Sequence, residues 1–239
     1  MKLTAQCFRP PNLTRAVLQL TLTCLILMQR VLKAWELLEV KSVLRDKIPV
    51  VRRFSGGGTV IVDHGTVFVS FVCNKDSVPS LQPYPQPIMA WSSLLYDQVF
   101  HGAGDFKLRE NDYVFGNRKF GGNAQSIIKN RWIHHTSFLW DYDEINMAYL
   151  KVPARAPKYR MERNHSEFIC RVKDFLPRSA FIEGIIKAAG THFSLRFVPW
   201  DAIELSAAAN FMPSSRMLTR QELKAAIDAE PESLLSQSM

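Results

Sequence analysis

The spacing of apolar positions divides the chain into short segments of changing period. Leu37, Leu38, Val40, Val43 and Leu44 recur at helical intervals between Trp35 and Asp46, which predicts a helix closed by Pro49. Val50–Val51 begin a strand, and Thr59–Asp63 and Thr66–Val72 follow as β-branched runs joined near His64–Gly65. The proline-rich stretch Pro79–Pro87 is a loop. A second helix carries Ile88, Trp91, Leu94, Leu95 and Val99 on one face and stops at Gly102 and Gly104. Phe106–Phe115, Arg118–Ile128 and Arg131–Trp140 read as strands. Asn164 is placed to cap a helix through Phe175, Ala180–Ala189 forms another ended by Gly190, and His192–Val198 alternates as a half-buried strand. Thr219 with Glu222 is a capping box opening the helix Gln221–Ala229. Strands outnumber helices in irregular order. The predicted class is therefore α+β, a mixed sheet with flanking helices rather than a repeated βαβ fold.

Residues 1–35 differ from the rest. They hold Lys2, Arg9, Arg15, Arg30 and Lys33 with no acidic residue, and a largely apolar run from Ala16 to Met28. That run is too short to span a bilayer, which needs roughly 20 residues. A basic targeting segment, a buried helix and an atypical start outside the fold proper are the three readings. The expected division is 1–35 as this segment, 36–200 as the main domain and 201–239 as a helical tail.

Charge and cysteines narrow the function. The net charge of +8 invites a nucleic-acid reading, but the first 35 residues account for +5 of it. The remaining mild excess suits an acidic protein partner or an anionic substrate better than a phosphate backbone. Cys7, Cys24, Cys73 and Cys170 are widely spaced, without a C-x-x-C pair, as in a reduced protein with no zinc site.

Three stretches could carry chemistry. RRFSGGGTVIVDHG, Arg52 to Gly65, sets two arginines beside three glycines between strands. Bare backbone permits close approach, and guanidinium groups bind carboxylate or phosphate. It is neither a Walker loop nor a dinucleotide fingerprint, because the following residues and spacing are wrong. GNRKFGGNAQ, Gly116 to Gln125, places Lys119 among glycines, where a compact cation suits a developing oxyanion or a phosphoryl oxygen. In RWIHHTSFLW, Arg131 to Trp140, adjacent strand histidines point to opposite faces, so one is expected buried, the other exposed, and no metal held.

In this order the three stretches resemble the catalytic domain of lipoate–protein ligase A, in the biotin/lipoate ligase and octanoyltransferase superfamily. The resemblance runs from about Glu36 to at least Lys173. It implies a tunnel for a lipoyl chain with the glycine strand as one wall, and Lys119 as the catalytic residue. It implies that Arg53 meets the adenylate phosphate and that Gly57, Gly58, Thr59, Val60 and Ile61 line the nucleotide and the acyl carbonyl. Asp63 is the second member of the family's His-Asp pair, with Val62 in the histidine place. Val60, Val69 and Phe71 are the expected apolar neighbours of the acyl tail.

The implied activity is attachment of lipoate or octanoate, through an acyl-adenylate made from ATP (with Mg2+), to a lysine of an acceptor lipoyl domain. Such acceptors belong to 2-oxoacid dehydrogenase complexes or are the glycine cleavage H protein, which points to mitochondria, with the cytoplasm as the alternative. A non-catalytic lipoate- or acceptor-binding relative and a biotin–protein ligase are the alternatives. Octanoyltransferases of this superfamily work through a cysteine thioester. Cys170 lies in FICRVKDF and no cysteine precedes the lysine motif, so direct attack on an adenylate is favoured. The family's first helix and strand are not evident in residues 1–35.

Overall fold

A computed structural model describes residues 3–9, 12–20, 24–28, 33–198 and 215–230. Strands β1 (Leu3–Arg9), β2 (Asn12–Leu20) and β3 (Leu25–Met28) come first, then helices α1 (Ala34–Leu37) and α2 (Val40–Arg45). Strands β4 (Val50–Arg52), β5 (Val60–Val62) and β6 (Thr66–Asn74) lead to helix α3 (Pro85–Phe100). Four strands follow: β7 (Phe106–Arg109), β8 (Asp112–Phe115), β9 (Arg118–Ile128) and β10 (Arg131–Leu139). Helices α4 (His165–Phe168) and α5 (Arg178–His192), strands β11 (Leu195–Val198) and β12 (Arg216–Met217), and helix α6 (Arg220–Asp228) complete the chain.

The strands form two sheets. The larger runs β11-β1-β2-β6-β10-β9-β8-β7, antiparallel throughout. The smaller runs β12-β4-β3-β5, with β3 and β4 parallel. The predicted α+β mixed-sheet class therefore holds.

Each sheet has its own core. One face of the larger sheet, with Val67, Val69, Phe71, Trp132 and Phe138, packs on α3 and α5. The smaller sheet, α1, α2 and α6 enclose a second core around Ile26, Met28, Val43, Ile61 and Leu223. Val114 of β8 belongs to this second core although its strand lies in the larger sheet. The second face of the larger sheet thus meets the smaller sheet.

Several expected elements differ. Of the apolar run Ala16–Met28, residues 16–20 belong to β2 and 25–28 form β3 rather than a helix; they find edges to pair with at β6, β4 and β5. The predicted helix 35–46 is broken at Leu38, which turns extended to bridge Leu150. The Asn164-capped helix ends at Phe168, because Ile169 joins the edge of β9 in a bridge to Lys119. Helix α5 passes through Gly190 to His192. The Thr219–Glu222 capping box is present, and Leu223 and Leu218 anchor the tail in the second core.

Candidate active site

Lys119 sits at the start of β9, and a bulge decides where it points. Val114 pairs with Lys119 but Tyr113 pairs with Gly121, leaving Phe120 as the extra residue on β9. Phe120 enters the first core, and a Cβ on Gly121 would meet the Tyr113 and Phe138 rings at 3.0 and 3.1 Å. Two successive residues facing one core return the next to the other face, the usual effect of a bulge. Lys119, Gly122 and Ala124 therefore share the face that looks away from α3. The lysine amine lies across Gly122, 3.3 Å from where a Cβ would stand.

Asp112 occupies the same face on the neighbouring strand, opposite Gly122. Its Oδ1 is 2.8 Å from the Lys119 Nζ, and its Oδ2 accepts a 2.8 Å hydrogen bond from the Tyr159 hydroxyl. The pair is mostly enclosed, with 26% of the lysine side chain and 11% of the aspartate exposed. An ion pair so placed is less screened than one at the surface. Sequence reasoning missed Asp112; a carboxylate in the strand that precedes the Gly116–Asn117 hairpin turn, on the strand paired with the lysine's own, is the signal that was available.

The glycine stretch crosses over β9 just beyond Lys119. A Cβ on Gly57, whose φ is 105°, would meet the Arg53 Nη2 at 2.9 Å, the Asn123 carbonyl oxygen at 3.0 Å and the Ala124 Cβ at 3.3 Å. Only glycine fits there. Gly56 and Gly58 face open space, so close approach explains one of the three glycines. The Arg53 guanidinium donates to the Gly58 carbonyl, closing the loop on itself. Burial lowers its pKa from the usual arginine value. The Arg52 Nε, the Arg53 Nε and the Thr59 hydroxyl are buried without hydrogen-bond partners. Unmet buried donors are costly, and an anionic ligand in this loop would meet that need.

His135 is the cross-strand neighbour of Ala124, the residue that the Gly57 Cα approaches. It pairs with Ala124 and Ser70 across the sheet, its Nδ1 is bonded to the Ser70 hydroxyl, and its ring packs against Phe68. Burial, then the nearby Arg53 charge, lower its pKa to about 4. His134 faces the first core, where Gln125, Tyr113 and Thr136 surround it and burial, then His135, lower its pKa to about 3. The expected split into one buried and one exposed histidine is therefore corrected: His134 is fully buried and His135 half-buried, bonded to Ser70 and packed on Phe68.

Other expected site residues fall elsewhere. Strand alternation puts Val69 and Phe71 in the helix-side core, so Phe68, Ser70 and Val72 are the β6 residues on the lysine face. Ile61 is buried in the second core, while Val60 is half-buried on β5 beside Leu27. Asp63 is a buried tie rather than a ligand group. Its Oδ1 accepts from the Gly65 N–H and the Thr66 hydroxyl, and its Oδ2 from the Asp143 N–H and the Asn146 amide. Asp63, His64 and Asp143 offer ligand atoms within 4.8 Å of one another, yet the aspartate's lone pairs are already used. Cys170 donates its main-chain N–H to the Lys119 carbonyl, but its thiol is buried against the Arg118 carbonyl and burial pushes its pKa up to about 11. It is not a poised nucleophile. Among the described residues no helix is long and apolar enough to cross a membrane.

Comparison with known proteins shows the family and the fold. The family model described as the lipoyl protein ligase A/B catalytic domain matches residues 18–194. The inactive lipoate–protein ligase 2 of Plasmodium falciparum is 31% identical over 187 residues, covering 62% of this chain and 48% of the relative. A probable lipoate-protein ligase A of Mycoplasma genitalium is 30% identical over 155 residues, covering 62% and 44%. The chain thus spans about half the length of the curated relatives it matches. Among solved structures, the bi-partite lipoate protein ligase of Thermoplasma acidophilum, studied with its E2 lipoyl domain, superposes with a TM-score of 0.59 at 18% identity, covering 89% of this chain and 78% of the other. A lipoate-protein ligase A bound with ATP gives 0.55 at 17% identity, covering 89% and 80%. P. falciparum LipL1 in complex with lipoate gives 0.56 at 19% identity, covering 92% and 57%.

Proposed function

Since the chain belongs to the lipoyl protein ligase A/B catalytic-domain family, we propose that it transfers a lipoyl or octanoyl group from its adenylate to the lysine amine of an acceptor lipoyl domain. The observation that carries this reading is Lys119, aimed by the β9 bulge across Gly122 and held by Asp112 beside a glycine loop with unmet cationic donors.

In the transfer step the neutral acceptor amine attacks the acyl carbonyl carbon, the bond from that carbon to the phosphate oxygen breaks, AMP leaves, and the nitrogen loses one proton, to the departing phosphate or to water, as the secondary amide forms. Negative charge develops on the carbonyl oxygen and on the departing phosphate. A preplaced ammonium between them stabilises the transition state more than the ground state. Lys119 takes that role. Arg53, Thr59 and the Gly57–Gly58 main chain take the phosphate end, where the buried unpartnered donors lie. Phe68, Ser70, Val72 and His135 floor the acyl chain.

ATP and lipoate are the proposed co-substrates, in line with the ligands of the fold relatives. A divalent ion accompanying ATP would be carried by the nucleotide. Asp63, with all its lone pairs in use, does not suit it, and no step here depends on it. The acceptor is proposed to be a lipoyl domain.

A non-catalytic reading stands beside this one, favoured by a relative named as an inactive ligase. One assay separates them. Purified protein with lipoyl-adenylate and an apo lipoyl domain is followed by mass, and Lys119→Ala is compared with wild type. Wild-type transfer with loss of at least 100-fold in the variant is expected. Equal transfer by the variant removes the mechanism, and lipoate binding without any transfer by wild type selects the non-catalytic reading.

A further inference from the structure

Close to Lys119 the backbone takes an uncommon course. Met161 and Glu162 are consecutive, neither is glycine, and both are left-handed, with φ of 52° and 61°. Residues with side chains seldom adopt this region, and such departures gather at functional sites. The turn is held by two arginines that close on one another. The Arg160 Nε–H donates to the Arg163 carbonyl at 2.8 Å, and the Arg163 Nε–H donates to the Arg160 carbonyl at 2.9 Å. The Arg163 guanidinium also donates to the Tyr159 carbonyl at 2.8 Å and to the Asn117 carbonyl at 3.0 Å, two residues before Lys119. Arg160, itself buried, lies over the Phe168 ring at 4.7 Å.

What this turn delivers is the Tyr159 side chain. Its ring is buried, with the Arg109 guanidinium 4.8 Å from its centroid, and its N–H donates to the Glu110 carboxylate. Its hydroxyl occupies one oxygen of Asp112 while Lys119 occupies the other. Burial, then the Asp112 charge, raise the phenol pKa far above its ordinary value, so the hydroxyl stays a donor. A carboxylate with one donor on each oxygen cannot rotate freely. It is also partly neutralised, which leaves more of the lysine charge for the substrate oxygens.

We infer that Tyr159 is a positioning residue for acyl transfer, setting through Asp112 the place and the available charge of the Lys119 amine. The inference rests on the proposed transfer activity. Without the phenol hydroxyl, Asp112 is free to turn both oxygens onto Lys119 and draw it back from Gly122.

The test uses the full chain and four variants: Tyr159→Phe, Asp112→Asn, the two combined, and Lys119→Ala. Tyr159→Phe keeps the ring and its packing on Phe168. We expect kcat for transfer from lipoyl-adenylate to fall 10- to 100-fold with KM for the acceptor unchanged, and the melting temperature to stay within two or three degrees. In the Asp112→Asn background the same change should cost less than threefold more, because both act through one contact. Wild-type kcat in Tyr159→Phe, or losses that multiply in the double variant, would overturn the inference while leaving the role of Lys119 intact. Activity in Lys119→Ala would instead overturn the underlying reading. A second readout needs no turnover. The rate at which an amine-reactive ester labels Lys119, read by peptide mass, should drop at least threefold in Tyr159→Phe and not in a Tyr84→Phe control. Unchanged labelling overturns the inference even in a chain without turnover.

Discussion

Lys119 and Gly122 are three residues apart on one strand, yet they project from the same face of it. A regular strand places such a pair on opposite faces. The extra residue Phe120 reverses this, and the lysine amine comes to rest 3.3 Å from where a Gly122 Cβ would be.

Substitution Gly122→Ala should therefore act on the lysine before it acts on the fold. The added methyl crowds the flexible end of Lys119, at 3.3 and 3.4 Å, which can yield by a few tenths of an ångström, and meets the Ser137 hydroxyl at an ordinary 3.7 Å. We expect stability within about 0.5 kcal/mol of wild type and a drop in acyl transfer of about tenfold, since small displacements of a catalytic group are expensive. Thermal melts beside transfer kinetics read both effects.

Gly57→Ala meets less forgiving neighbours. The methyl would stand 3.0 Å from the Asn123 carbonyl oxygen and 2.9 Å from the Arg53 guanidinium, at a φ of 105°. The loop must lift from β9, at a cost of about 1–3 kcal/mol. Binding of a lipoyl-adenylate analogue, measured by calorimetry, should weaken at least tenfold, while the melting of the two cores changes little because the loop is peripheral to both. Unaltered binding would show that the loop does not hold the adenylate.

Cys170→Ser should leave acyl transfer within twofold of wild type. The thiol faces the Arg118 carbonyl rather than the lysine face, and burial raises its pKa to about 11. Modification of intact protein by iodoacetamide at pH 8 should spare it. Detection of an acyl thioester on this residue by mass would contradict the direct attack on an adenylate.

The two histidines set an acid limit on stability. Both are held neutral in the folded state, His134 with a pKa of about 3 and His135 of about 4, chiefly by burial. Once unfolded, each binds a proton near pH 6.5. The unfolded chain therefore carries more protons between these values, so stability falls as pH drops from about 6.5 toward 4 and below. For the fully enclosed His134 the loss amounts to a few kcal/mol, at roughly 1.4 kcal/mol per pH unit of separation. Melting temperature against pH should be flatter in His134→Gln than in wild type, even though the variant starts lower at pH 7.5.

Much of this was legible in the chain itself. Sequence pattern determined the strand-rich class, the positions of β6, β9 and β10, most of α3 (which begins at Pro85, inside the stretch read as a loop to Pro87) and the Thr219 cap, because these depend on local periodicity and capping chemistry; it also singled out Arg53, Gly57 and Lys119 as candidates. The face on which a residue lies did not follow. Whether Val69 or Ser70 looks at the lysine depends on which side of β6 receives α3, and a period of two has no preference between them. Residues 16–28 read as a helix, a targeting segment or an atypical start because they are largely apolar with no strict alternation; strand edges supplied by β4, β5 and β6 make 16–20 and 25–28 strands. Asp63 looked like a site residue by resemblance, and two tertiary hydrogen bonds, from Asp143 and Asn146, add to the two local ones from Gly65 and Thr66 to make it a structural tie. Asp112 and Tyr159 were invisible for the same reason: 47 residues separate them, and nothing local draws them together. The bulge at Phe120 is the clearest case. One inserted residue, whose ring stacks on Phe115 in the aromatic core, is what turns Lys119 toward the glycine loop.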